Sequence, residues 1–295
     1  MYEIYLENHR VICYNRSRAV RNMIQNNNLF RCFESEVPMK TNYHTHSQRC
    51  RHAQGTEEDY VRCALDAGVT ILGFSDHAPF PDHDYGYRMP YEELSDHFSE
   101  VDRLAGKYAS AITILKGLEI EYLPKYLPYY ERLLQEDHLD YLLLGEHFFP
   151  VPEKEFLFVA DVLDTEMYLW YARAIDEALK TGLFRMLAHP DLFAMNKFPW
   201  DKNCDAASDR IIESAVRYDV VLELNANGFR RGIHEYPEGP RLMYPHLKFW
   251  EKVAGSGVRV IIGSDAHKPC QVWDACMPKA YDLLAGLGIE PILTI

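Results

Sequence analysis

The strongest constraint on the fold is a unit that repeats seven times after residue 39. In each unit an apolar, β-rich run ends in a polar cluster, and a helical pattern follows. The seven runs cover residues 41–44, 69–75, 112–119, 141–145, 184–188, 220–225 and 258–263. Strands that alternate with helices pair in parallel through right-handed crossovers. The chain is therefore expected to adopt an α/β fold, a barrel of seven units close to the eightfold kind, with its site at the C-terminal strand ends.

Helical periodicity fills the intervals between these runs. The predicted helices cover residues 56–67, 91–108, 125–136, 165–181, 206–218, 244–255 and 270–287. Residues 289–295 are expected to form either an outer strand or a tail. Since no low-complexity linker interrupts the pattern, residues 39–295 are predicted to form one catalytic domain.

Residues 1–38 differ from the rest of the chain in composition. They contain six asparagines, and their five arginines and four acids give a net charge of +1, whereas the other residues carry −14. They also lack a sustained hydrophobic period. We predict a peripheral, partly ordered extension before a domain that begins at Met39. The alternative is an arm that covers one end of the barrel.

The composition is typical of a globular enzyme. Hydrophobic residues make up 47% and charged residues 25% of the 295 positions, and no apolar run reaches the roughly 18 residues of a membrane span. The seven cysteines include no C-x-x-C pair, and the first residues do not resemble a secretory signal, which favours a reducing cytoplasm. A net charge of −13 without a basic run argues against nucleic acid as a partner. The expected partner is a small molecule, with a homo-oligomer left open.

Histidines and acids follow six of the seven strand-like runs. These polar clusters lie at residues 44–46, 75–77, 119–121, 146–147, 189–191, 225–227 and 264–267. A barrel brings its strand ends together, so the clusters are expected to meet in one site. Seven of the 13 histidines lie in these positions or at His52. The other six lie on predicted helices or loops, where most are expected at the surface.

The first cluster has the spacing of a metal site. Side chains at i and i+2 of a strand point to the same side, so His44 and His46 can bind one ion from a single strand end. His52, after a short loop, can reach the same ion or a neighbouring one. Two acids join the histidines as candidate ligands. The nine candidates are His44, His46, His52, His77, Glu119, His147, His189, Asp265 and His267.

Nine ligands are too many for one ion, because zinc usually takes four. Nitrogen and carboxylate ligands without thiolates suit zinc, iron or manganese. Several divalent ions would also reverse the negative local field and so admit a phosphorylated substrate. A multi-metal site generates hydroxide near neutral pH and binds both substrate and leaving oxygens, which fits phosphoester hydrolysis.

With these residues in place, the sequence resembles the polymerase and histidinol phosphatase (PHP) family of metallophosphoesterases, and within it the monofunctional histidinol-phosphatases. The order and context of the motifs are far more specific than H-x-H alone. The resemblance accounts for nothing in residues 1–38. The motifs are HTHSQRCRHAQG at 44–55, GFSDHAPF at 73–80, GLEIEY at 117–122, LLLGEHFF at 142–149, LAHPDLF at 187–193, ELNANGFRRG at 223–232 and GSDAH at 263–267.

The resemblance implies a distorted seven-stranded (β/α)7 TIM-like barrel, with the metal site at the C-terminal strand ends. It implies three divalent ions in that site, of zinc, iron or manganese. It also implies hydrolysis of L-histidinol phosphate to L-histidinol and phosphate in histidine biosynthesis, with Glu119, Asp265 and His267 as catalytic residues. By motif, the ions are shared among three sets: His44, His46, Glu119 and Asp265; Glu119 with His147 and His189; and His52, His77 and His267.

Basic residues outside the ligand set are candidates for the substrate phosphate. Arg230 and Arg231 follow the sixth strand, and a guanidinium can bind phosphate through two parallel hydrogen bonds. We favour Arg230, with Arg231 as the alternative. The resemblance also implies an arginine after residues 189–191. This chain has Asn196 and Lys197 there, so Lys197 is a candidate to substitute as a point charge.

The organic half of the substrate is expected to meet the loop 227–240. An acid of this loop or Glu121 is the candidate partner of the substrate ammonium, and His234 is a further candidate contact. Asp76 and Asp191 either orient a neighbouring imidazole or cap a helix. Cys50 is expected to be a small packing residue.

Two other functions compete with this interpretation. One is a phosphoesterase of the same chemistry that acts on phosphotyrosine, nucleotides or DNA ends, and a panel of phosphate esters would distinguish it. The other is a non-catalytic metal-binding or interaction module. The full set of nine ligands argues against that second function.

Overall fold

The structure is a computed structural model that describes residues 2–7, 10–15, 39–152 and 154–295. The strands in chain order are β1 (Tyr2–Glu7), β2 (Arg10–Asn15), β3 (Lys40–Asn42), β4 (Val69–Phe74), β5 (Thr113–Ile120), β6 (Tyr141–Leu144), β7 (Phe148–Val151), β8 (Lys154–Phe158), β9 (Phe184–Leu187), β10 (Val221–Asn225), β11 (Ile233–His234), β12 (Arg241–Leu242) and β13 (Val260–Gly263). The α-helices are α1 (Glu57–Ala67), α2 (Leu94–Tyr108), α3 (Leu127–Gln135), α4 (Met167–Leu179), α5 (Lys202–Arg217), α6 (Asn227–Arg231), α7 (Leu247–Val253) and α8 (Cys276–Leu287).

Seven of the strands form one parallel sheet. Its order is β3, β4, β5, β6, β9, β10, β13, so each strand lies beside the next one of the set along the chain. The pairings are parallel throughout, because helical crossovers return the chain to the same edge each time. The predicted α/β class and the parallel sheet of seven strands are therefore confirmed.

The two edge strands of this sheet meet at their C-terminal ends. Thr45, just after β3, forms a parallel bridge with Ala266, just after β13. The His46 amide donates to the Ala266 carbonyl at 2.9 Å, and the Ala266 amide donates to the His44 carbonyl at 3.2 Å. This junction brings the first and last predicted ligands of the chain together.

Residues 289–295 form a tail rather than an outer strand. The Ile292 amide donates to the Val260 carbonyl at 2.8 Å, and the Thr41 hydroxyl donates to the Leu293 carbonyl at 2.8 Å. Ile292 and Ile295 pack against the cluster around Tyr141, which lies between the strands. Because these contacts are at the starts of β3 and β13, the tail covers the end of the sheet opposite the polar clusters.

Helix boundaries follow local capping chemistry. At the start of α1, the Thr56 side chain accepts from the Asp59 amide and the Asp59 carboxylate accepts from the Thr56 amide, which is a capping box. Gly68 ends this helix in the left-handed conformation, with φ of 74°. By contrast, α5 begins at Lys202, four residues before the prediction, because the Asp201 side chain accepts from the amides of Asn203 and Cys204.

Within residues 1–38, the described parts form one antiparallel pair, β1 with β2. The remainder of the predicted extension lies outside the described residues. In the part of the chain that the structure describes, no helix is both long and apolar enough to cross a membrane.

Candidate metal centre

The nine predicted ligands converge at the C-terminal edge of the parallel sheet. They surround one side of a cavity of about 300 Å³. His44 and His46 are fully buried beside the cavity, while seven of the nine line it directly. Those seven are His52, His77, Glu119, His147, His189, Asp265 and His267.

The first set gathers two imidazoles and two carboxylates. His44 Nε2 lies 3.3 Å from Glu119 Oε2 and 3.6 Å from Asp265 Oδ1. His46 Nε2 lies 3.4 Å and 3.3 Å from the same two oxygens. The four donor atoms therefore face a common point, as the i, i+2 spacing of the two histidines just after β3 predicts.

Glu119 lies between two groups of histidines. Its Oε2 faces His44, His46 and His77, the last with Nδ1 at 3.0 Å. Its Oε1 faces His189 Nε2 at 3.0 Å and His147 Nε2 at 3.6 Å. A carboxylate with each oxygen turned to a different group of nitrogens has the geometry of a bridging ligand.

The third set places two ring nitrogens face to face. His52 Nδ1 lies 2.8 Å from the Cys50 carbonyl, and His267 Nδ1 lies 3.2 Å from the Asp265 carbonyl. If both Nδ1 atoms donate to these carbonyls, the two Nε2 atoms carry lone pairs, and they lie 2.9 Å apart. Two lone pairs at this distance repel each other unless a proton or a cation lies between them. One ring nitrogen of His77 completes the set, because it lies within 4.8 Å of a ring nitrogen of each of the other two histidines.

Several buried donor atoms in this region have no hydrogen-bond partner. They are His44 Nε2, both ring nitrogens of His46, Glu119 Oε2 and His189 Nδ1. Most buried polar atoms in proteins are hydrogen-bonded, so a cluster of exceptions needs an explanation. Neutral imidazoles and carboxylates without thiolates are the ligands that zinc, iron and manganese accept. The residues present therefore fit divalent metal ions.

Electrostatics favour the protonation states that bind metals. Burial raises the pKa of Glu119, but nearby His44, His147 and His77 outweigh it and hold that pKa well below its usual value. The pKa of Asp265 is also held well below its usual value, because His44, His46 and His267 outweigh the effect of burial. Burial, assisted by neighbouring imidazoles, lowers the pKa of His46, and burial lowers the pKa of His77 to about 4. Ionised carboxylates and neutral imidazoles are the ligand forms of these groups.

Two predicted ligands, His44 and His147, differ because carboxylates surround them. The pKa of His147 is raised, since Glu119 and Glu121 outweigh the effect of burial. The same holds for His44. Burial lowers its pKa, but the carboxylates of Glu223, Glu119 and Asp265 together raise it well above the usual value. The imidazole is thus stabilised as a cation when no other positive charge is near. A metal ion in the first set would supply that positive charge in place of the proton.

Two predicted ligands have unusual backbone conformations. His189 and Asp265 have φ of 29° and 50°, in the left-handed region that non-glycine residues seldom occupy. The Glu223 carboxylate accepts from the His189 amide at 3.1 Å. The side-chain amides of Asn225 and Asn227 donate through Nδ2 to Asp265 Oδ2 at 3.2 Å and 3.1 Å. Such strain persists only where surrounding contacts enforce it, which is typical of functional sites.

Sequence reasoning missed Glu223 as a site residue. Its Oε1 accepts from His44 Nδ1 at 2.8 Å, which leaves His44 Nε2 free to bind a metal. Its only signal in the sequence is a position two residues before Asn225 on the same strand, which places both side chains on one face of β10.

Arg88 was also missed, and it explains the position of Glu121. The Arg88 guanidinium donates to both Glu121 oxygens, at 3.1 Å and 3.2 Å, and both side chains are buried. Glu121 Oε1 also accepts from His147 Nδ1 at 3.0 Å. Glu121 therefore positions a predicted ligand, and it is already neutralised before any substrate ammonium approaches.

The preference for Arg230 over Arg231 is not supported by the structure. Arg230 donates to Asp274 and Ser264 side chains and to the Gln271 carbonyl, so its donors are used within the protein. It does not line the cavity, whereas Arg231 does. The sole hydrogen bond of the Arg231 side chain among the described residues runs from Nε to the Tyr244 hydroxyl at 3.0 Å. Of these two arginines, Arg231 is therefore the one whose guanidinium can contact a substrate in the cavity.

Three other expected substrate contacts are not brought to the cavity. Lys197 is exposed and does not line it. His234 Nε2 pairs with the Arg231 carbonyl at 3.0 Å, and Glu238 accepts from the Trp200 amide at 2.7 Å. Among the candidates from the loop 227–240, His234, Glu235 and Glu238 do not line the cavity.

Asp76 and Asp191 were expected either to orient a ligating imidazole or to cap a helix, and the structure shows neither contact. Asp76 Oδ1 accepts from the Ser47 amide at 2.7 Å and so holds the loop of the first motif. Asp191 accepts from the His246 amide and from Trp250 Nε1. Asp76 Oδ2 also lies 3.8 Å from the ring of His97, which is not a predicted ligand. The two carboxylates thus hold segments near the metal centre and do not contact a ligating imidazole.

Cys50 is buried, and burial raises the pKa of its thiol to about 12. Its Sγ donates to the Ser47 carbonyl at 3.1 Å, as a packing residue with one weak hydrogen bond does. Two histidines that were expected at the surface, His97 and His246, are also buried. His97 Nδ1 pairs with Glu57 at 3.1 Å, and the His246 ring stacks on Trp200 at 4.3 Å.

The fold is a parallel β-sheet connected by helices, and histidines and carboxylates suited to metal ions lie at its C-terminal edge. These features place the chain among metal-binding α/β proteins. The comparison with protein families makes this more specific. The chain belongs to the PHP domain family, whose model matches residues 42–227. The resemblance stated from the motifs is thereby confirmed.

Curated relatives span most of the chain. A probable histidinol-phosphatase of Deinococcus radiodurans is 29% identical over 238 residues, which cover 78% of this chain and 86% of the relative. A probable histidinol-phosphatase of Schizosaccharomyces pombe is 25% identical over 262 residues, covering 79% and 82%. A probable phosphatase of Tolumonas auensis is 29% identical over 239 residues, covering 80% and 82%.

Solved structures share the fold. Histidinol phosphate phosphatase of Lactococcus lactis, in complex with zinc, L-histidinol and phosphate, superposes with a TM-score of 0.65 at 17% identity. The match covers 86% of this chain and 95% of that one. A putative histidinol phosphatase of Listeria monocytogenes gives a TM-score of 0.66 at 18% identity, covering 80% and 98%.

Proposed function

We propose that this chain is a metal-dependent phosphomonoesterase that hydrolyses L-histidinol phosphate to L-histidinol and phosphate in histidine biosynthesis. The observation that carries the proposal is the cluster of buried, unpartnered imidazole and carboxylate donors at the wall of an accessible cavity. PHP membership gives the reaction class, and relatives named as probable histidinol-phosphatases support the substrate.

Three divalent ions, of zinc, iron or manganese, would be held by the three donor sets. Glu119 would bridge the set of His44, His46 and Asp265 to His147 and His189, and His52, His77 and His267 would form the third set. When bound, such ions supply positive charge for phosphate oxygens and activate water near neutral pH. Glu119, Asp265 and His267 are proposed as the catalytic residues among these ligands.

The remaining residues of the cavity would bind and orient the ester. Arg231 lies at its mouth, exposed, with both Nη groups unused among the described residues, which suits a phosphate oxygen. Asn225 and Asn227 hold Asp265 through Oδ2, so that Oδ1 faces His44 and His46. Arg88 neutralises Glu121, which prevents that buried charge from repelling a dianionic phosphate.

Two structural proposals accompany the function. The junction between Thr45 and Ala266 supports a sheet that closes as a distorted seven-stranded barrel. The family match begins at residue 42, which supports residues 39–295 as the catalytic domain and residues 1–38 as an extension to it.

Steady-state kinetics test the function directly. Metal-loaded protein is expected to release phosphate from L-histidinol phosphate, and chelation followed by gel filtration should abolish this activity until metal is restored. Phosphotyrosine and nucleoside monophosphates serve as competing substrates, because one relative is named only as a probable phosphatase. If kcat/KM is higher on either competitor, that competitor is the better substrate and L-histidinol phosphate is not the preferred one. The phosphoesterase chemistry would still hold.

A further inference from the structure

The cavity at the metal centre has two unlike walls. One wall carries the ligands, and the other is built from aromatic and aliphatic side chains. Among the described residues that line the cavity, the acids are Glu119, Glu121 and Asp265, and all three are engaged with the cluster or with Arg88. The second wall therefore offers ring faces, and no free carboxylate, to whatever the phosphate carries.

The aromatic wall is formed by the β7–β8 hairpin and the loop that precedes Arg88. Phe148 and Phe158 are paired across the hairpin, and their ring centroids lie 5.3 Å apart. Tyr85, from the loop, lies 5.9 Å from Phe148. The ring centroid of Phe156 lies 5.0 Å from that of Tyr85, and Phe156 does not itself line the cavity. The wall is thus a continuous group of packed rings.

Two rings of this wall are left open at the mouth of the cavity. Phe158 is 38% exposed and Tyr87 is 71% exposed, although both are large aromatic side chains. The Tyr87 ring lies edge-on to His52 at 5.4 Å, so the wall begins directly beside a predicted metal ligand. A flat ring bound there would cover this aromatic area while a phosphate on the same molecule reached the cluster.

We propose that Phe158 and Tyr87 are specificity-determining residues that bind the planar ring of a phosphate monoester. This inference rests on the proposed function and adds to it the way the organic half is recognised. In L-histidinol phosphate the ring is the imidazole, which gains from stacking on an aromatic face, and from a cation–π contact when it is protonated.

The test uses the full metal-loaded chain with two substrates that differ by the ring. L-histidinol phosphate and phosphoethanolamine share the aminoalkyl phosphate, and only the first carries the imidazole. Phe158→Leu is expected to lower kcat/KM on L-histidinol phosphate by about threefold to tenfold, mainly through KM. On phosphoethanolamine kcat/KM should not change. Tyr87→Ser should give the same pattern, and Phe158→Tyr, which keeps the ring, should retain wild-type values.

Phe198→Leu is the control, because it removes a half-buried ring that packs on Tyr168 and neither lines the cavity nor contacts the aromatic wall. It is expected to affect thermal stability and leave the ratio of the two kcat/KM values unchanged. Equal losses on both substrates in Phe158→Leu, or no loss on either, would overturn the proposal.

A pair of unrelated esters separates this proposal from the proposed function. If the wild-type protein does not hydrolyse L-histidinol phosphate, the proposed function fails. The aromatic wall is then judged from phenyl phosphate against ethyl phosphate. A loss in Phe158→Leu confined to phenyl phosphate supports ring recognition, and the same loss on both esters rejects it.

Discussion

At the scale of single residues, the metal centre depends most on Glu119. It is 1% exposed, and its two oxygens face separate groups of imidazoles. A neutral amide at this position keeps the shape of the side chain but removes the charge that would compensate the proposed ions on either side. The consequences of its loss should therefore extend to more than one metal.

Glu119→Gln is expected to lower metal content by more than one ion per chain and to nearly abolish turnover. Elemental analysis of protein purified without chelator, combined with steady-state kinetics, measures both effects. Glu136→Gln, which changes an exposed acid on the helical side, is the control and should behave as wild type. Normal turnover and full metal content in Glu119→Gln would show that Glu119 does not bridge.

Arg230 and Arg231 are adjacent and yet have different surroundings. Arg231→Ala is expected to lose roughly tenfold to a hundredfold in kcat/KM, because it removes a charged hydrogen bond to phosphate. Its thermal stability should stay close to that of wild type. Arg230→Ala is expected to lower the free energy of unfolding by roughly 1–3 kcal/mol, because it leaves Asp274 and Ser264 without their partner.

Kinetics with p-nitrophenyl phosphate and thermal melts of both variants distinguish these roles. A loss of activity in Arg230→Ala at unchanged melting temperature, with no loss in Arg231→Ala, would restore the original preference for Arg230.

At the scale of secondary structure, the end of β6 is shaped to admit Glu119 from the neighbouring β5. A Cβ atom at Gly145 would lie 2.2 Å from Glu119 Oε1, far inside van der Waals contact. Because Glu119 is itself held among histidines, it cannot move aside without losing its partners. Gly145 is therefore required by the metal centre rather than by the backbone of its own turn.

Gly145→Ala is expected to fold and to bind less metal, with activity reduced in proportion. Gly106→Ala is the matched control: its added Cβ meets no atom within 4 Å, and it lies within α2. There alanine should be neutral or slightly stabilising, since glycine costs a helix roughly 1 kcal/mol relative to alanine. Metal analysis and circular dichroism of both variants provide the measurement.

At the scale of the whole molecule, the parallel sheet and the tail that covers its opposite end are formed by residues 39–295. The family match lies wholly within this range. The contacts that assemble the metal centre also come from it, since they join segments between β3 and β13. The catalytic unit should accordingly be separable from residues 1–38.

A chain that begins at Met39 is expected to fold, bind metal and keep most of its activity on L-histidinol phosphate. Gel filtration, elemental analysis and kinetics of the shortened and full-length chains test this. Aggregation, or metal loss in a protein that is otherwise folded, would instead assign residues 1–38 to the support of the catalytic domain.

The sequence by itself determined the α/β class, the positions of the seven parallel strands and the family. The reason is periodicity: strands and helices alternate, and parallel strand ends meet at one edge, so His44, Glu119 and Asp265 could be expected together from their order alone. Boundaries that depend on one side chain, such as the start of α5 at Lys202, which Asp201 caps, were predicted less accurately.

The tertiary structure alone decided which of two chemically identical neighbours faces the cavity. Arg230 and Arg231 lie on the one-turn helix α6, where successive side chains point about 100° apart, so one reaches Asp274 and the other the cavity. The pairing of Glu223 with His44, and of Arg88 with Glu121, also joins segments far apart in the chain. Sequence patterns report local spacing, whereas these contacts depend on how the strands and loops pack in three dimensions.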